Sequence, residues 1–157
     1  MKFATSLLIT GMVATTALFA NEDISKVETD QAPAAIGPYS QAVHAGDYLF
    51  VSGQLPIDPS TGSFLWGTIE EQTERALRNV EAILAATGSG LDRLVSVTIY
   101  VSDISLWSRV NAKYAEILGP HRPARAVVPT LPLHHGALIE ISAIAAVSAL
   151  PEESSSR

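Results

Sequence analysis

The stretch from Thr68 to Gly88 constrains this chain most. Ile69, Thr73, Ala76, Leu77, Val80, Ile83 and Leu84 recur at spacings of three and four, which lays one apolar stripe along a helix. Thr68 with Glu71 is a capping box, each side chain satisfying an amide at the helix start, and Gly88 suits the C-terminal cap. A helix with a single stripe needs a broad apolar surface to lie on, and the runs on either side of it are strand-like.

Ser40 to His44 and Tyr48 to Ser52 are two such runs, joined by Ala45-Gly46-Asp47 as a hairpin turn. Ser52-Gly53-Gln54 ends the second run, and the turn signal Asp58-Pro59-Ser60-Thr61-Gly62 precedes a short third run, Phe64-Leu65-Trp66. After the helix comes LVSVTIYV, Leu94 to Val101, rich in β-branched residues. A second helix is predicted over roughly Ser105 to Leu118, with Leu106, Val110, Tyr114 and Ile117 on one face and Gly119-Pro120 stopping it. Arg125 to Thr130 and Ala137 to Val147 are the last strands, a hairpin linked by LPLHHG. This order predicts an α+β two-layer sandwich: a mixed sheet of about six strands with both helices on one face. The other face is left bare, which predicts self-association.

The ends differ from the middle. Met1 to Ala20 reads as a secretory signal peptide, with Lys2 as a minimal positive start and an apolar stretch from Phe3 to Phe19. That predicts a periplasmic or secreted protein, with no membrane association after cleavage; without a working signal it would be cytoplasmic. Asn21 to Ala32 reads as a polar linker, 33–148 as the domain and 149–157 as a flexible tail. The chain has no cysteine, which excludes thiolate chemistry and disulfides. Its net charge is -6 and no block of Lys or Arg occurs, which argues against a nucleic-acid partner.

Two charges interrupt the last apolar runs: Arg125 and, fifteen residues later, Glu140. Each is costly to bury unless paired or used. A guanidinium is a planar fork of donors suited to a carboxylate, and a glutamate in a cleft can take a proton from water. Together they suggest a site for a small acid. The adjacent His134 and His135 lack an acidic or third ligand nearby, so no metal site is expected.

Several motifs carry a family resemblance: APAAIGPYSQAV from Ala32, VSGQLPIDPSTG from Val51, EQTERALRNVEAILAATGS, TIYVSD, VNAKYAEILG, RPAR and IEISAIA. In this order they resemble the reactive intermediate deaminase family (RidA, formerly YjgF). The resemblance implies a chorismate-mutase-like fold, a homotrimer with sites in clefts between subunits, and cofactor-free hydrolysis of 2-enamine and 2-imine acids to 2-keto acids and ammonia. It makes Arg125 the carboxylate clamp and Glu140 the residue that positions water. It also sets Tyr39 in the cleft and matches Asn111 to a recurring family asparagine, read as a structural hydrogen bond ahead of catalysis and as a candidate substrate contact; Val127 would line the pocket through its backbone. Ser52 and Gly53 are candidates to bring backbone donors close to the substrate, since glycine allows close approach. Ser142 departs from the family's IEIEAIA, where a second acid stands. The competing classes are a non-catalytic module that binds small carboxylates, or a trimeric interaction scaffold, and a ribonuclease, which the negative charge disfavours.

Overall fold

The capped helix forms as its pattern requires. In the computed structural model, which describes residues 24–147, α1 spans Ile69–Ala85. Glu71 Oε2 accepts from the Thr68 amide at 2.7 Å, and Thr68 Oγ1 accepts from the Glu71 amide at 3.4 Å. At the other end Ser89 N–H donates to Leu84 O and Gly88 N–H to Ala85 O, with Gly88 at φ +71°. That pair of bonds is a Schellman cap, in which the left-handed residue is most cheaply a glycine. All seven residues of the expected stripe are buried, together with Gln72 and Asn79.

The sheet has six strands: β1 (Ser25–Val27), β2 (Ala42–Ala45), β3 (Tyr48–Gln54), β4 (Leu94–Val101), β5 (Ala124–Pro129) and β6 (Ile139–Ala146). Their spatial order is β1-β2-β3-β6-β4-β5. Only β4 and β5 are parallel, because α2 (Trp107–Leu118) carries the chain between them as a crossover. Along β6 and β4 every second residue is buried: Ile139, Ile141, Ala143 and Ala145 on one, Val97, Ile99 and Val101 on the other. Most of these join Leu77, Val80 and Leu84 of α1 and Val110 and Tyr114 of α2 in one core. Both helices therefore cover one face, and the fold is the expected α+β two-layer sandwich. Arg109 ties α2 to α1 through two 2.6 Å bonds to Glu70.

The uncovered face mixes aromatic and aliphatic side chains with small hydroxyl ones. It presents Tyr48 and Phe50, each 46% exposed, with Ile144, Ser96, Thr98 and Ser142 on the neighbouring strands. Among the described residues no helix is long and apolar enough to cross a membrane.

Three expectations need correction. Ordered structure begins well before Pro33, since Ser25–Val27 pairs with β2 and Ala32 is buried where a linker was expected. A three-residue strand is too short for alternation to reveal, and what holds the following segment is a buried side chain. Gln41 Oε1 accepts from the Thr29 amide at 2.7 Å, and its Nε2 donates to the carbonyls of Thr29, Ala32 and Pro33. Phe64-Leu65-Trp66 adds no full strand and makes only an isolated bridge, Phe64 to Ile57. Finally, β5 and β6 are not a hairpin: the crossover lays β5 outside β4, and β6 fills the gap between β3 and β4. The signal expected over 1–20 and the tail over 149–157 lie outside the described residues.

Candidate functional site

The structure distributes the expected site residues over two half-sites. Arg125 lies on β5 opposite Val97, on the helix-covered face. Its Nη2 donates to Asn111 Oδ1 at 2.8 Å, and its guanidinium carbon stands 4.6 Å from the centre of the Tyr114 ring. Asn111 and Tyr114 are three residues apart, one above the other on α2, so the helix offers a hydrogen bond and an aromatic face together. The guanidinium is thus aimed while part of its donor fork stays available. Asn111 makes a structural hydrogen bond, to Arg125. Val127 turns its side chain to the same covered face, against the core, and its backbone belongs to the edge strand of the sheet.

Tyr114 is the member of this half-site that sequence reasoning missed. Its place in the apolar stripe of α2 hid it, although its offset of three from Asn111 put both beside the strand that carries Arg125. Its hydroxyl is buried without a hydrogen-bond partner, and burial raises its pKa.

The second half-site surrounds Glu140. This carboxylate pairs in register with Tyr100 and shares the uncovered face with Ser142, two residues along β6. Between Val51 and Gln54 the β3–β6 register shifts, so Ser52 and Gly53 together oppose Ser142 as a bulge. The bulge brings Gly53 against Glu140: a Cβ added at Gly53 would lie 1.9 Å from Glu140 Oε1. Gly53 is there because only hydrogen fits. Burial raises the pKa of Glu140, and the charge of His134 opposes that rise to a lesser extent. With Ser142 in place of an acid, no second carboxylate adds to the effect from that position.

Tyr39 walls a cleft with Gly53, Gln54, Leu55 and Ile57. Its hydroxyl accepts from the Ile36 amide at 3.3 Å, which folds the loop on itself. Ser52 fastens that loop to β3: its hydroxyl donates to Ser40 O at 2.7 Å and its amide to Gln41 O at 3.0 Å. Both donors are therefore committed within the fold, and Ser52 supports the cleft in preference to contacting a ligand. Two further supports come from α1 and were not anticipated, because polar residues in an apolar stripe look like interruptions. Asn79 Nδ2 donates to Leu55 O and Ile57 O at 3.0 and 2.9 Å, while Gln72 Oε1 accepts from the Leu138 amide at 2.9 Å. Asn79 thereby steadies the wall of the Tyr39 cleft, and Gln72 the approach to β6.

The half-sites do not meet within one chain. β4 lies between β5 and β6, Arg125 is opposite Val97 and Glu140 opposite Tyr100. Strand spacing and rise then put their Cα atoms roughly 14 Å apart, and the side chains leave opposite faces of the sheet. Among the described residues no three His, Asp or Glu side chains are grouped as a metal would require.

A domain of this architecture, with an aimed guanidinium on one face and a partly buried carboxylate on the other, matches known proteins over most of its length. The chain belongs to the family described as Endoribonuclease L-PSP, whose model matches residues 29–147. A RutC family protein of Pyrococcus horikoshii is 47% identical over 117 residues, 74% of this chain and 93% of the relative. A 2-iminobutanoate/2-iminopropanoate deaminase of Bos taurus is 40% identical over 119 residues, 76% of this chain and 87% of the relative. Among solved structures, a Thermotoga maritima protein described as a candidate endoribonuclease superimposes with a TM-score of 0.76 at 51% identity, covering 80% of this chain and 98% of its own.

Proposed function

We propose that this protein hydrolyses 2-imine acids and their 2-enamine tautomers to 2-keto acids and ammonia, in sites formed between copies of the chain in a homotrimer. The observation that carries the reading is the pair of half-sites: a guanidinium held by Asn111 and Tyr114, and a carboxylate of raised pKa held beside Gly53. The deaminase name of the bovine relative supports the same chemistry. Arg125 from one subunit binds the substrate carboxylate, and Glu140 from its neighbour faces the imine carbon. The bare sheet face, with Tyr48, Phe50 and Ile144, is the surface that packing between copies would cover.

Hydrolysis then needs only proton transfers and no cofactor. An enamine is first protonated at its terminal carbon to give the imine. Glu140 takes a proton from water as the water oxygen bonds to the carbon of the protonated imine, giving a neutral tetrahedral carbinolamine. Glu140 returns that proton to nitrogen, and as the carbon–nitrogen bond breaks the hydroxyl gives its own proton to the carboxylate, so ammonia leaves, the carbonyl forms and the ammonia takes up the remaining proton as ammonium. A carboxylate whose pKa is raised suits both the taking and the returning of the proton.

The direct test generates 2-iminopropionate from alanine with an amino-acid oxidase and follows its loss with and without the purified protein. Faster loss is expected, and Arg125→Ala should abolish the acceleration while circular dichroism shows the fold intact. An Arg125→Ala chain that retains most of the rate removes the assignment. The binding-module reading predicts that 2-keto acids bind while no imine is hydrolysed. A ribonuclease, as in the family's description, finds little support here: the net charge is -6, and Arg78, Arg109 and Lys113 are each paired with glutamates.

The export reading of Met1 to Ala20 is proposed separately, on its apolar run and the polar sequence that follows. N-terminal sequencing of protein recovered from a periplasmic extract should begin at Asn21; an intact Met1 removes it.

A further inference from the structure

The histidine pair that the metal reading set aside belongs to a cluster of rings at the rim of the Glu140 half-site. Phe64 and Trp66 stack with centroids 5.3 Å apart and planes 21° from parallel. His135 meets the Phe64 ring edge-on at 4.9 Å, and the two histidine rings are 4.0 Å apart. The cluster adjoins the Tyr39 cleft at Ile57 and neighbours Glu140 at His134. Phe64 is bridged to Ile57, which lines the cleft with Tyr39 and Gly53. His134 precedes β6 by a few residues, and its charge is felt by Glu140.

Two features set this cluster apart from an ordinary surface patch. Trp66 is 66% exposed although it stacks on Phe64, so it leaves a large ring surface open to water. His135 sits at φ +53° and is the one described non-glycine residue with positive φ. A non-glycine residue in that region carries a conformational cost, and such costs collect where a loop must hold a shape for a ligand.

We propose that Phe64, Trp66, His134 and His135 form the subsite for the substrate's side chain, so that the protein takes 2-imine acids with aromatic side chains in preference to the imine of alanine. The inference rests on the deaminase reading for the site's location. An aromatic side chain reaching out from the imine carbon beside Glu140 would meet the open ring of Trp66 and the imidazole edges, whereas a methyl group would not reach them. One well-placed aromatic contact corresponds to about a tenfold preference.

Binding of stable 2-keto acids tests the subsite without turnover. The full chain is titrated calorimetrically with phenylpyruvate and with pyruvate, and so are the Trp66→Ala and His135→Gly variants. Phenylpyruvate should bind roughly tenfold more tightly than pyruvate, and each variant should lose most of that difference while its pyruvate affinity holds. Trp66 is largely exposed and glycine suits the His135 backbone, so both variants are expected to fold. Equal affinities in the parent, or parallel losses for both acids in the variants, overturn the subsite. Imine assays on the same proteins separate the two readings. Hydrolysis without an aromatic preference removes only the subsite, whereas selective binding of phenylpyruvate without hydrolysis of any imine removes only the deaminase.

Discussion

Glu140 and Gly53 form a unit in which a missing side chain is as important as the one present. Gly53→Ala would place a methyl carbon 1.9 Å from Glu140 Oε1, so the carboxylate must move, and turnover of iminopropionate should fall by about a hundredfold with little change in thermal stability. An unchanged rate would show that Glu140 works from another position. The pH dependence follows from the same pocket. Burial raises the pKa of Glu140, and the protonated acid cannot accept a proton from water. The rate should therefore fall as pH drops through a value above that of an ordinary glutamate, and Glu140→Gln should remove activity at every pH. Stability runs the other way. Because the folded-state value is raised, the contribution of this group is fully present below its unfolded value and is lost as pH rises through the folded one. Denaturant titrations should accordingly show Glu140→Gln stabilising the chain at neutral pH relative to the parent, with the difference closing in acid.

At the level of elements, amide side chains tie loops to the scaffold. Gln41 holds Thr29, Ala32 and Pro33 through its buried carboxamide. Gln41→Ala leaves those backbone groups unpaired and should cost about 2–4 kcal/mol in chemical denaturation, with faster amide exchange at Thr29. Slow exchange there would mean that β1 alone secures the segment. This network also shows where the sequence was legible. The stripe of α1, both of its caps and the span of β4 follow from periodicity and capping chemistry, which are local properties. Gln41, Gln72 and Asn79 look like polar interruptions until the distant carbonyls and amides they serve are placed beside them. The bulge at Ser52-Gly53 was hidden for a similar reason, since a register shift exists only relative to β6. Arg125 and Glu140 could be singled out as charges in apolar runs. Their neighbours Asn111 and Tyr114 acquire meaning only when α2 lies over β5.

At the scale of the whole molecule, the order of the strands separates the chemistry. With β4 between β5 and β6, one copy of the chain presents Arg125 and Glu140 on opposite faces of its sheet. If each site joins Arg125 of one subunit to Glu140 of the next, Arg125→Ala and Glu140→Gln proteins are each inactive alone. Unfolded together in equal amounts and refolded as random trimers, they should recover about one quarter of the parent's activity, because one site in four then combines two intact halves. No recovery in such mixtures, with native mass spectrometry confirming that mixed trimers form, would place both residues in one subunit's site. The same separation has a consequence for heredity. If sites are shared between subunits in this way, two damaged copies of the gene, one lacking the guanidinium and the other the carboxylate, would partly complement each other in a single cell, so neither lesion would show its full effect while the other allele was expressed.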